Sequence, residues 1–346
     1  MNEKAWVRVL RSCSDNLKSK IQNRKWVGIV AIIVALAVCG ARAEAQHAGK
    51  VFRVGFLDAS TESGNAVLMQ PITQELNKLG WIEGKNIAFE YRFAEGQRER
   101  QNELAAELVR LKVDLIVVAG TGPSLAAKRA TATIPIVMAS AGNPVAAGLV
   151  ASLARPGGNV TGFSALATDL NTKRLEVLKD AVPKLSRVGL LIPPLTSSRE
   201  YMKTAALALK LELEEIVTQP DAKGLESAFQ TAKQKQVGAI ITTADRAFLG
   251  ERKRIVELAG KYHLPAIYPQ KAFVQESGLM SYGVDYDDLF RRAAVYVDKI
   301  LKGAKPADLP VQQATKFEFV INLKAAKEIG LTIPANVLER ANQVIK

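Results

Sequence analysis

The chain has 346 residues, of which 48% are hydrophobic and 23% are charged. This composition is typical of folded globular chains and excludes a disordered, collagen-like or disulfide-dense protein. The length exceeds that of one ordinary domain, so we expect two.

The net charge of +13 is concentrated at the N-terminus. Residues 1–43 carry eight basic and two acidic residues, which leaves 39 basic and 32 acidic residues, or +7, for the rest of the chain. Those charges are interspersed and do not form long runs of one sign. The pattern favours a solvated surface and argues against nucleic acid as a partner.

The N-terminal segment has the three parts of a secretory signal peptide. Basic residues extend to Lys25, the uncharged stretch 26–40 follows, and small residues then lead to Ala43 and Ala45. We therefore expect residues 1–45 to be a signal peptide that is cleaved after one of these two alanines. The mature protein is then expected in the periplasm.

Two alternatives for this segment remain open. A retained membrane anchor would need about 20 apolar residues to span the bilayer, and the uncharged stretch has fifteen. Residues 36–39 also resemble a lipoprotein box, although Val38 stands where such boxes have a small residue. Lipidation of Cys39 is therefore the second alternative.

Cysteine and histidine are too scarce for most catalytic or metal sites. Both cysteines, Cys13 and Cys39, lie in the predicted signal peptide, and the two histidines are His47 and His263. The mature chain therefore has no disulfide, thiolate nucleophile or cysteine-type zinc site. A single histidine in the body gives little support to a catalytic triad. We expect a protein that is not an enzyme and binds no cofactor or metal. An enzyme that uses only carboxylates and lysines is the alternative.

From residue 51 onward, short apolar segments alternate with helical patterns, as in a parallel sheet with crossover helices. Apolar residues at three- and four-residue spacing predict helices over 70–79, 98–111 and 290–301. The predicted strands cover residues 51–57, 86–92, 115–119, 136–139, 187–192, 214–218, 239–243, 266–268 and 279–282.

The two halves of the chain contain an internal repeat. The sequence RVGFL at 53–57 matches RVGLL at 187–191, and two later strand segments match in the same order. Three matches in one order predict two similarly folded lobes. The predicted fold class is therefore α/β, with two doubly wound parallel-sheet lobes joined by a multi-strand hinge.

The Pro-Gly-Gly sequence within residues 155–162 marks the predicted joint between the lobes, because a hinge needs residues that absorb backbone rotation. Residues 305–310, with two prolines, are interpreted as a second crossing. The predicted first lobe comprises residues 51–160 and 285–305, and the predicted second lobe comprises residues 161–284 and 306–346.

In open parallel sheets, ligands bind beyond the carboxyl ends of the strands. The loops at those positions are rich in small polar residues. The predicted ligand-binding residues are Ser60, Thr61, Thr121, Gly122, Ser140, Asn143, Thr161, Thr196, Asp245, Tyr268 and Asp285. The serine and threonine side chains have an alternative role as helix caps.

The roles of four of these residues also have alternatives. Thr121 and Gly122 belong to a Gly-Thr-Gly turn that either binds an anion through its N–H groups or only begins a helix. A carboxylate at Asp285 suits a ligand ammonium, or it caps the helix that follows. Tyr268 either flanks a ligand or packs inside its lobe.

Over residues 51–346 the chain resembles the ABC transporter substrate-binding proteins of the tryptophan/tyrosine-binding type. The resemblance rests on the stretches LGWIEGKN (79–86), NPVAAGLV (143–150), ARPGGNVTG (154–162), GLMSYG (278–283) and ILKGAKPADLP (300–310). It implies a type I periplasmic binding protein fold with three crossings between the lobes. It also implies a small-molecule ligand, often an aromatic amino acid, and an ABC transporter permease in the inner membrane as partner.

Two departures from the family pattern leave the ligand open. Asn143 stands where the family often has aspartate, and residues 192–194 replace a segment that often contains an aromatic residue. We expect a monomer. A ligand-sensing partner of a membrane receptor would share all these features and is the alternative function. A repressor would need a helix-turn-helix before residue 50, where the predicted signal peptide stands.

Overall fold

The structure is a computed structural model that describes residues 50–194 and 199–346. The predicted signal peptide and the predicted site residue Thr196 lie outside the described residues. Within the described ranges, no helix combines the length and the apolar character needed to cross a bilayer.

Strands and helices alternate along the described chain, as the apolar pattern predicts. The strands are β1 (Phe52–Asp58), β2 (Ile87–Phe93), β3 (Leu115–Ala119), β4 (Ile136–Ala141), β5 (Val160–Ser164), β6 (Arg187–Ile192), β7 (Glu212–Val217), β8 (Ala239–Thr242), β9 (Ala266–Tyr268), β10 (Met280–Val284), β11 (Gln312–Gln313), β12 (Phe317–Asn322) and β13 (Gln343–Ile345). The helices are α1 (Glu62–Lys78), α2 (Arg98–Arg110), α3 (Thr121–Ala130), α4 (Ala167–Ala181), α5 (Arg199–Ala208), α6 (Ala222–Gln234), α7 (Arg246–Gly250), α8 (Arg252–Lys261), α9 (Lys271–Gln275), α10 (Tyr286–Leu301), α11 (Leu323–Glu328) and α12 (Ala335–Leu338).

Two sheets organise residues Phe52–Lys346, which form one compact unit. The first sheet is parallel, with the order β11-β5-β4-β3-β1-β2. The second has the order β13-β12-β10-β9-β8-β6-β7, and β12 runs antiparallel to β10. The order β4-β3-β1-β2 in the first sheet corresponds to β9-β8-β6-β7 in the second. This correspondence confirms the internal repeat and the α/β doubly wound fold. The first sheet and its helices form the first lobe, and the second sheet and its helices form the second lobe.

The repeat extends to side-chain contacts at the start of the first strand of each lobe. Arg53 donates to Glu90 Oε1 on β2 at 2.9 Å and to the Leu111 carbonyl after α2 at 2.9 Å. Arg187 donates to Glu212 Oε2 on β7 at 2.9 Å and to the Lys235 carbonyl after α6 at 2.7 Å. In both lobes, one arginine therefore ties a central strand to the edge strand and to the end of a helix.

The predicted crossings at 155–162 and 305–310 are wrong in detail. Val160–Ser164 is strand β5 of the first sheet, so the chain leaves the first lobe after Ser164, near the left-handed residue Leu166 (φ 50°). Residues Pro306–Asp308 form a 3₁₀ turn, and the Thr161 hydroxyl donates to the Leu309 carbonyl at 2.6 Å. Because β11 also belongs to the first sheet, the last crossing lies between β11 and β12.

The first lobe therefore extends beyond its predicted boundaries. It includes β5 and β11, which the sequence assigned to the second lobe. Helix α10 follows β10 of the second sheet and packs against α1 and β4, so the chain crosses back at Asp285. Helix α4 packs against α5 and the strands β8, β9 and β10. Backbone hydrogen bonds join the three crossings: the Ala314 N–H donates to the Ser164 carbonyl and the Asp285 N–H to the Lys316 carbonyl, both at 2.9 Å.

Candidate functional site

A buried ion pair joins the two lobes at the carboxyl ends of their strands. Asp58 is the last residue of β1, and Arg246 begins α7 directly after the loop that follows β8. Arg246 Nε donates to Asp58 Oδ1 at 3.1 Å, and its Nη2 donates to the other carboxylate oxygen. Both side chains are almost fully buried, at 4% and 0% exposure. An ion pair removed from water in this way holds the lobes together only while both charges are present.

Polar atoms without a partner surround this ion pair. Ser60 Oγ, Asn65 Nδ2 and Arg246 Nη1 are buried and form no hydrogen bond to any residue in the described ranges. The Ser60 backbone N–H donates to Asp58 Oδ1 at 2.9 Å, and Arg246 Nη2 donates to Asn65 Oδ1 at 3.3 Å, so these residues form one cluster. A buried donor without an acceptor costs about 1 to 3 kcal/mol. The cluster is therefore complementary to a ligand that offers oxygen acceptors.

Glycines allow the lobes to approach closely beside this cluster. A Cβ atom on Gly64 of α1 would lie 2.7 Å from the Cα atom of Gly250 in α7. A Cβ atom on Gly120, whose φ is +95°, would lie 3.0 Å from Cγ of Arg246. Any larger side chain at Gly64 would push the lobes apart, because the opposing atom is backbone.

Two loops that the sequence predicted lie next to each other in the first lobe. Thr121 Oγ1 accepts from the N–H of Gly142 at 3.0 Å, and the Ser140 carbonyl accepts from the N–H of Gly120 at 2.6 Å. Gly122 lies within α3, where a Cβ atom would meet Gln101 Oε1 at 2.7 Å. Thr121 and Ser140 are thus brought together at the edge that faces the second lobe, and Gly122 serves helix packing.

Three predicted site residues form their contacts away from the buried cluster of Ser60, Asn65 and Arg246. Asn143 is exposed, and its Oδ1 accepts from the Ala146 N–H at 3.1 Å. Thr161 lies near the start of β5, at the end of the strand away from the cleft. Tyr268 is 1% exposed and stacks on Phe273 with ring centroids 4.7 Å apart, and burial raises its pKa. These contacts belong to turns, strands and the core of the individual lobes, and none of them joins the buried cluster. Ligand binding by the three residues stays a prediction.

Three further predicted residues are helix caps. Thr61 Oγ1 accepts from Gly64 at 3.1 Å, Asp245 Oδ1 accepts from Ala247 at 2.9 Å, and Asp285 Oδ1 accepts from Asp288 at 3.0 Å. Burial raises the pKa of Asp245, while the Ala247 N–H and the charge of Arg246 lower it. Capping uses one oxygen of each side chain and leaves the second carboxylate oxygen of both aspartates for another role.

The role of Asp285 as a cap leads to a test. Asp285→Ala is expected to lower the free energy of unfolding by about 1 kcal/mol, because the first turn of α10 loses its acceptor. Asp285→Asn is expected to keep most of this stability, since asparagine caps helices equally well. Urea unfolding of both variants measures the difference. Equal stability of Asp285→Ala and the wild type would contradict the capping role.

Arg174 is a buried functional candidate that the sequence analysis missed. It lies on α4 at 1% exposure, where Nη1 donates to the Tyr282 carbonyl at 3.1 Å and Nη2 donates to Asn171 Oδ1. Burial lowers its pKa to about 10, so the guanidinium stays charged at neutral pH. The sequence does contain one indication that Arg174 is buried. Leu170 and Leu178 lie four residues before and after it, so all three share the buried face of the helix.

Tyr286 is a second buried side chain near the carboxyl ends of the second sheet. The side chain is 8% exposed at the start of α10, and burial raises its pKa, while the charges of Arg174 and Arg246 and a hydrogen bond with Gln270 lower it. A cavity of about 240 Å³ opens beside Gln270 and Tyr286, between α1, α9 and α10. The carboxyl ends of β9 and β10 therefore present Gln270 and Tyr286 to this cavity.

The described residues contain no group of three or more histidine, cysteine, aspartate or glutamate side chains that could hold a metal ion. The site consists of hydroxyl, amide, guanidinium, phenol and carboxylate groups. Such groups recognise a small polar molecule through hydrogen bonds and charge, in a cleft between two similar lobes. Fold and cleft together match the type I periplasmic-binding-protein-like fold.

Comparison with known proteins identifies the family. The family model of the ABC transporter substrate binding protein matches residues 62–345, and the chain belongs to this family. The chain is 28% identical over 262 residues to the Tyrosine-binding protein of Clostridioides difficile (strain R20291). The aligned region covers 74% of each chain. The family and the fold class predicted from the sequence are thereby confirmed.

Two solved structures support the same assignment. A conserved domain protein from Vibrio cholerae O1 biovar El Tor is 29% identical, with a TM-score of 0.78 over 85% of this chain and 100% of the other. The ABC domain from Streptococcus pneumoniae in complex with L-Trp is 28% identical, with a TM-score of 0.76 over 86% of this chain and 100% of the other.

Proposed function

We propose that this protein captures a small molecule between its lobes outside the cytoplasmic membrane and delivers it to the permease of an ABC importer in the inner membrane. Residues 1–45 act as the signal peptide for export in this proposal. Membership of the substrate-binding family supports binding of a small ligand and cooperation with such a permease.

The observation that carries the proposal is the buried cluster of Ser60, Asn65 and Arg246. These side chains come from both lobes, meet at the carboxyl ends of the strands and retain unpartnered polar atoms. A structural role alone gives no reason to bury three such atoms together, because each costs stability. A ligand that enters between the lobes satisfies them and, because it contacts both, favours the closed arrangement.

An amino acid or a related carboxylate is the ligand class that we propose. One relative is named for tyrosine binding, and one similar structure contains L-Trp. The donors of the cluster suit carboxylate oxygens, since N–H and O–H groups around a carboxylate form charge-assisted hydrogen bonds. Thr121 and Ser140 of the first lobe, and Asp245 and Asp285 of the second, are proposed to line the same cleft.

A thermal-unfolding screen tests this proposal. The protein is unfolded and refolded to release retained ligand and is then screened with amino acids, small carboxylates, amides and sugars. A ligand at a hundred times its dissociation constant adds about 2.7 kcal/mol to stability, which corresponds to roughly 5 °C or more in the unfolding midpoint. A shift with sugars alone would contradict the proposed ligand class. No shift with any compound would contradict the binding function.

A further inference from the structure

The second lobe contains a cavity of its own, of about 660 Å³, bordered by helices α8, α9 and α11. This volume lies within the range of small-molecule sites, about 300 to 1,000 Å³. Much of the wall is apolar and consists of Val256, Ala259, Leu264, Leu279, Ala325 and Ile329. All residues that line the cavity belong to the second lobe, so the cavity is separate from the cleft between the lobes.

The wall of this cavity also contains a buried phenol without a hydrogen-bond partner. Tyr268 is 1% exposed, and its hydroxyl forms no hydrogen bond with any residue in the described ranges. The Cε2 atom, near the hydroxyl end of the ring, would lie 2.8 Å from a Cβ atom on Gly278, which also lines the cavity. The hydroxyl end of Tyr268 is therefore at the cavity. Buried tyrosine hydroxyls normally have a partner, so this one calls for an acceptor.

The surroundings of Tyr268 define what that acceptor belongs to. The ring stacks on Phe273 with centroids 4.7 Å apart, and burial raises the pKa of the phenol, which therefore stays protonated and can donate. Two charged residues of the wall already have partners: Lys261 pairs with Glu226 at 2.7 Å, and Glu276 pairs with Arg252 at 3.1 Å. A charged ligand would lose its hydration against the apolar wall, which is costly without a buried counter-charge.

We propose that this cavity is a second binding site, for an uncharged and largely apolar small molecule that accepts a hydrogen bond from Tyr268. The site goes beyond the proposed function, because it lies within one lobe and uses none of the residues of the cleft. The apolar wall supplies most of the affinity, and the phenol selects ligands with one acceptor.

Three probes of similar size test this proposal: acetophenone, ethylbenzene and benzoate. Acetophenone carries one neutral acceptor, ethylbenzene carries none, and benzoate is charged. Saturation-transfer difference NMR titrations give the Kd of each probe for wild type, Tyr268→Phe, Ala259→Leu and Tyr262→Phe. Tyr262 is the matched control, because its hydroxyl donates to Glu226 Oε1 at 3.0 Å and it does not line the cavity.

Wild type and Tyr262→Phe are expected to bind acetophenone more tightly than ethylbenzene and to show no saturable binding of benzoate. Tyr268→Phe is expected to raise the Kd of acetophenone about 2- to 10-fold and to leave that of ethylbenzene unchanged or lower. Its unfolding midpoint is expected to be no lower than that of wild type, since the variant removes a hydroxyl without a partner. Ala259→Leu is expected to weaken both probes, because Ala259 is 5% exposed and the added atoms fill the cavity.

No saturable binding of acetophenone to wild type would overturn the proposal, as would an unchanged Kd in Tyr268→Phe. Equal Kd values of acetophenone and ethylbenzene in wild type would mean that water is the partner of Tyr268, which also overturns it. Unchanged binding to folded Ala259→Leu would show that the probes bind elsewhere. If Ala259→Leu does not fold, the comparison of Tyr268→Phe with Tyr262→Phe decides alone.

Discussion

Replacing Arg246 with methionine is expected to open the ligand-free protein. The variant leaves the carboxylate of Asp58 buried without its partner, which costs the closed arrangement about 3 to 5 kcal/mol. Because Asp58 regains water when the lobes separate, the protein is expected to relieve this cost by opening before it unfolds. Small-angle X-ray scattering is expected to show a larger radius of gyration than for the wild type.

Two further variants control for this result. Arg340→Met removes an exposed arginine that pairs with Asp180 at 2.6 Å, and it is expected to leave the radius of gyration unchanged. The double variant Asp58→Asn/Arg246→Met removes both charges and is expected to recover part of the closed population. An unchanged radius for Arg246→Met would show that the ion pair does not hold the lobes together.

The second large effect is expected from Gly64→Ala. The new methyl group would lie 2.7 Å from Gly250 Cα and 2.2 Å from Ser60 Oγ in the closed arrangement. Overpacking of this kind costs about 1 to 3 kcal/mol, so affinity for a stabilising ligand is expected to fall by up to about 100-fold. Calorimetric titration with a compound from the thermal screen measures the loss.

Gly260→Ala is the matched control for this substitution. Gly260 also lies in a helix, but a Cβ atom there has no neighbour within 4 Å. Alanine favours a helix over glycine by about 1 kcal/mol at both positions, so intrinsic helix stability is expected to change alike. Equal affinity of Gly64→Ala and Gly260→Ala would contradict the close approach of α1 and α7 in the bound state.

Much of the fold follows from the sequence because its strands are short, apolar and repeated. The observed bounds of β3, β6 and β9 match the predicted ranges residue for residue. Strands β12 and β13 were missed, since they lie outside the part that the two lobes share. Strand β5 was interpreted as part of the hinge because of the preceding Pro-Gly-Gly sequence, whose glycines form a turn with φ of +68° and +76°.

The site was only partly predictable for a physical reason. The position of strand ends identified the loops that carry Ser60, Thr121 and Ser140, because backbone topology decides which loops meet. The two buried arginines belong to helices, where a charged residue is normally expected on the solvated face. Their burial depends on packing between α7 and α1 and between α4 and β10, and contacts so distant along the chain leave no local pattern.

Hydrogen–deuterium exchange with and without a stabilising compound tests the central claim most directly, because it locates the bound ligand. We expect slower exchange on binding in residues 58–65 and 243–250, which meet across the cleft. A second cavity of about 660 Å³ lies within the second lobe, beside Ser277 and Ile329. Protection confined to that cavity, with residues 58–65 and 243–250 unchanged, would contradict binding between the lobes.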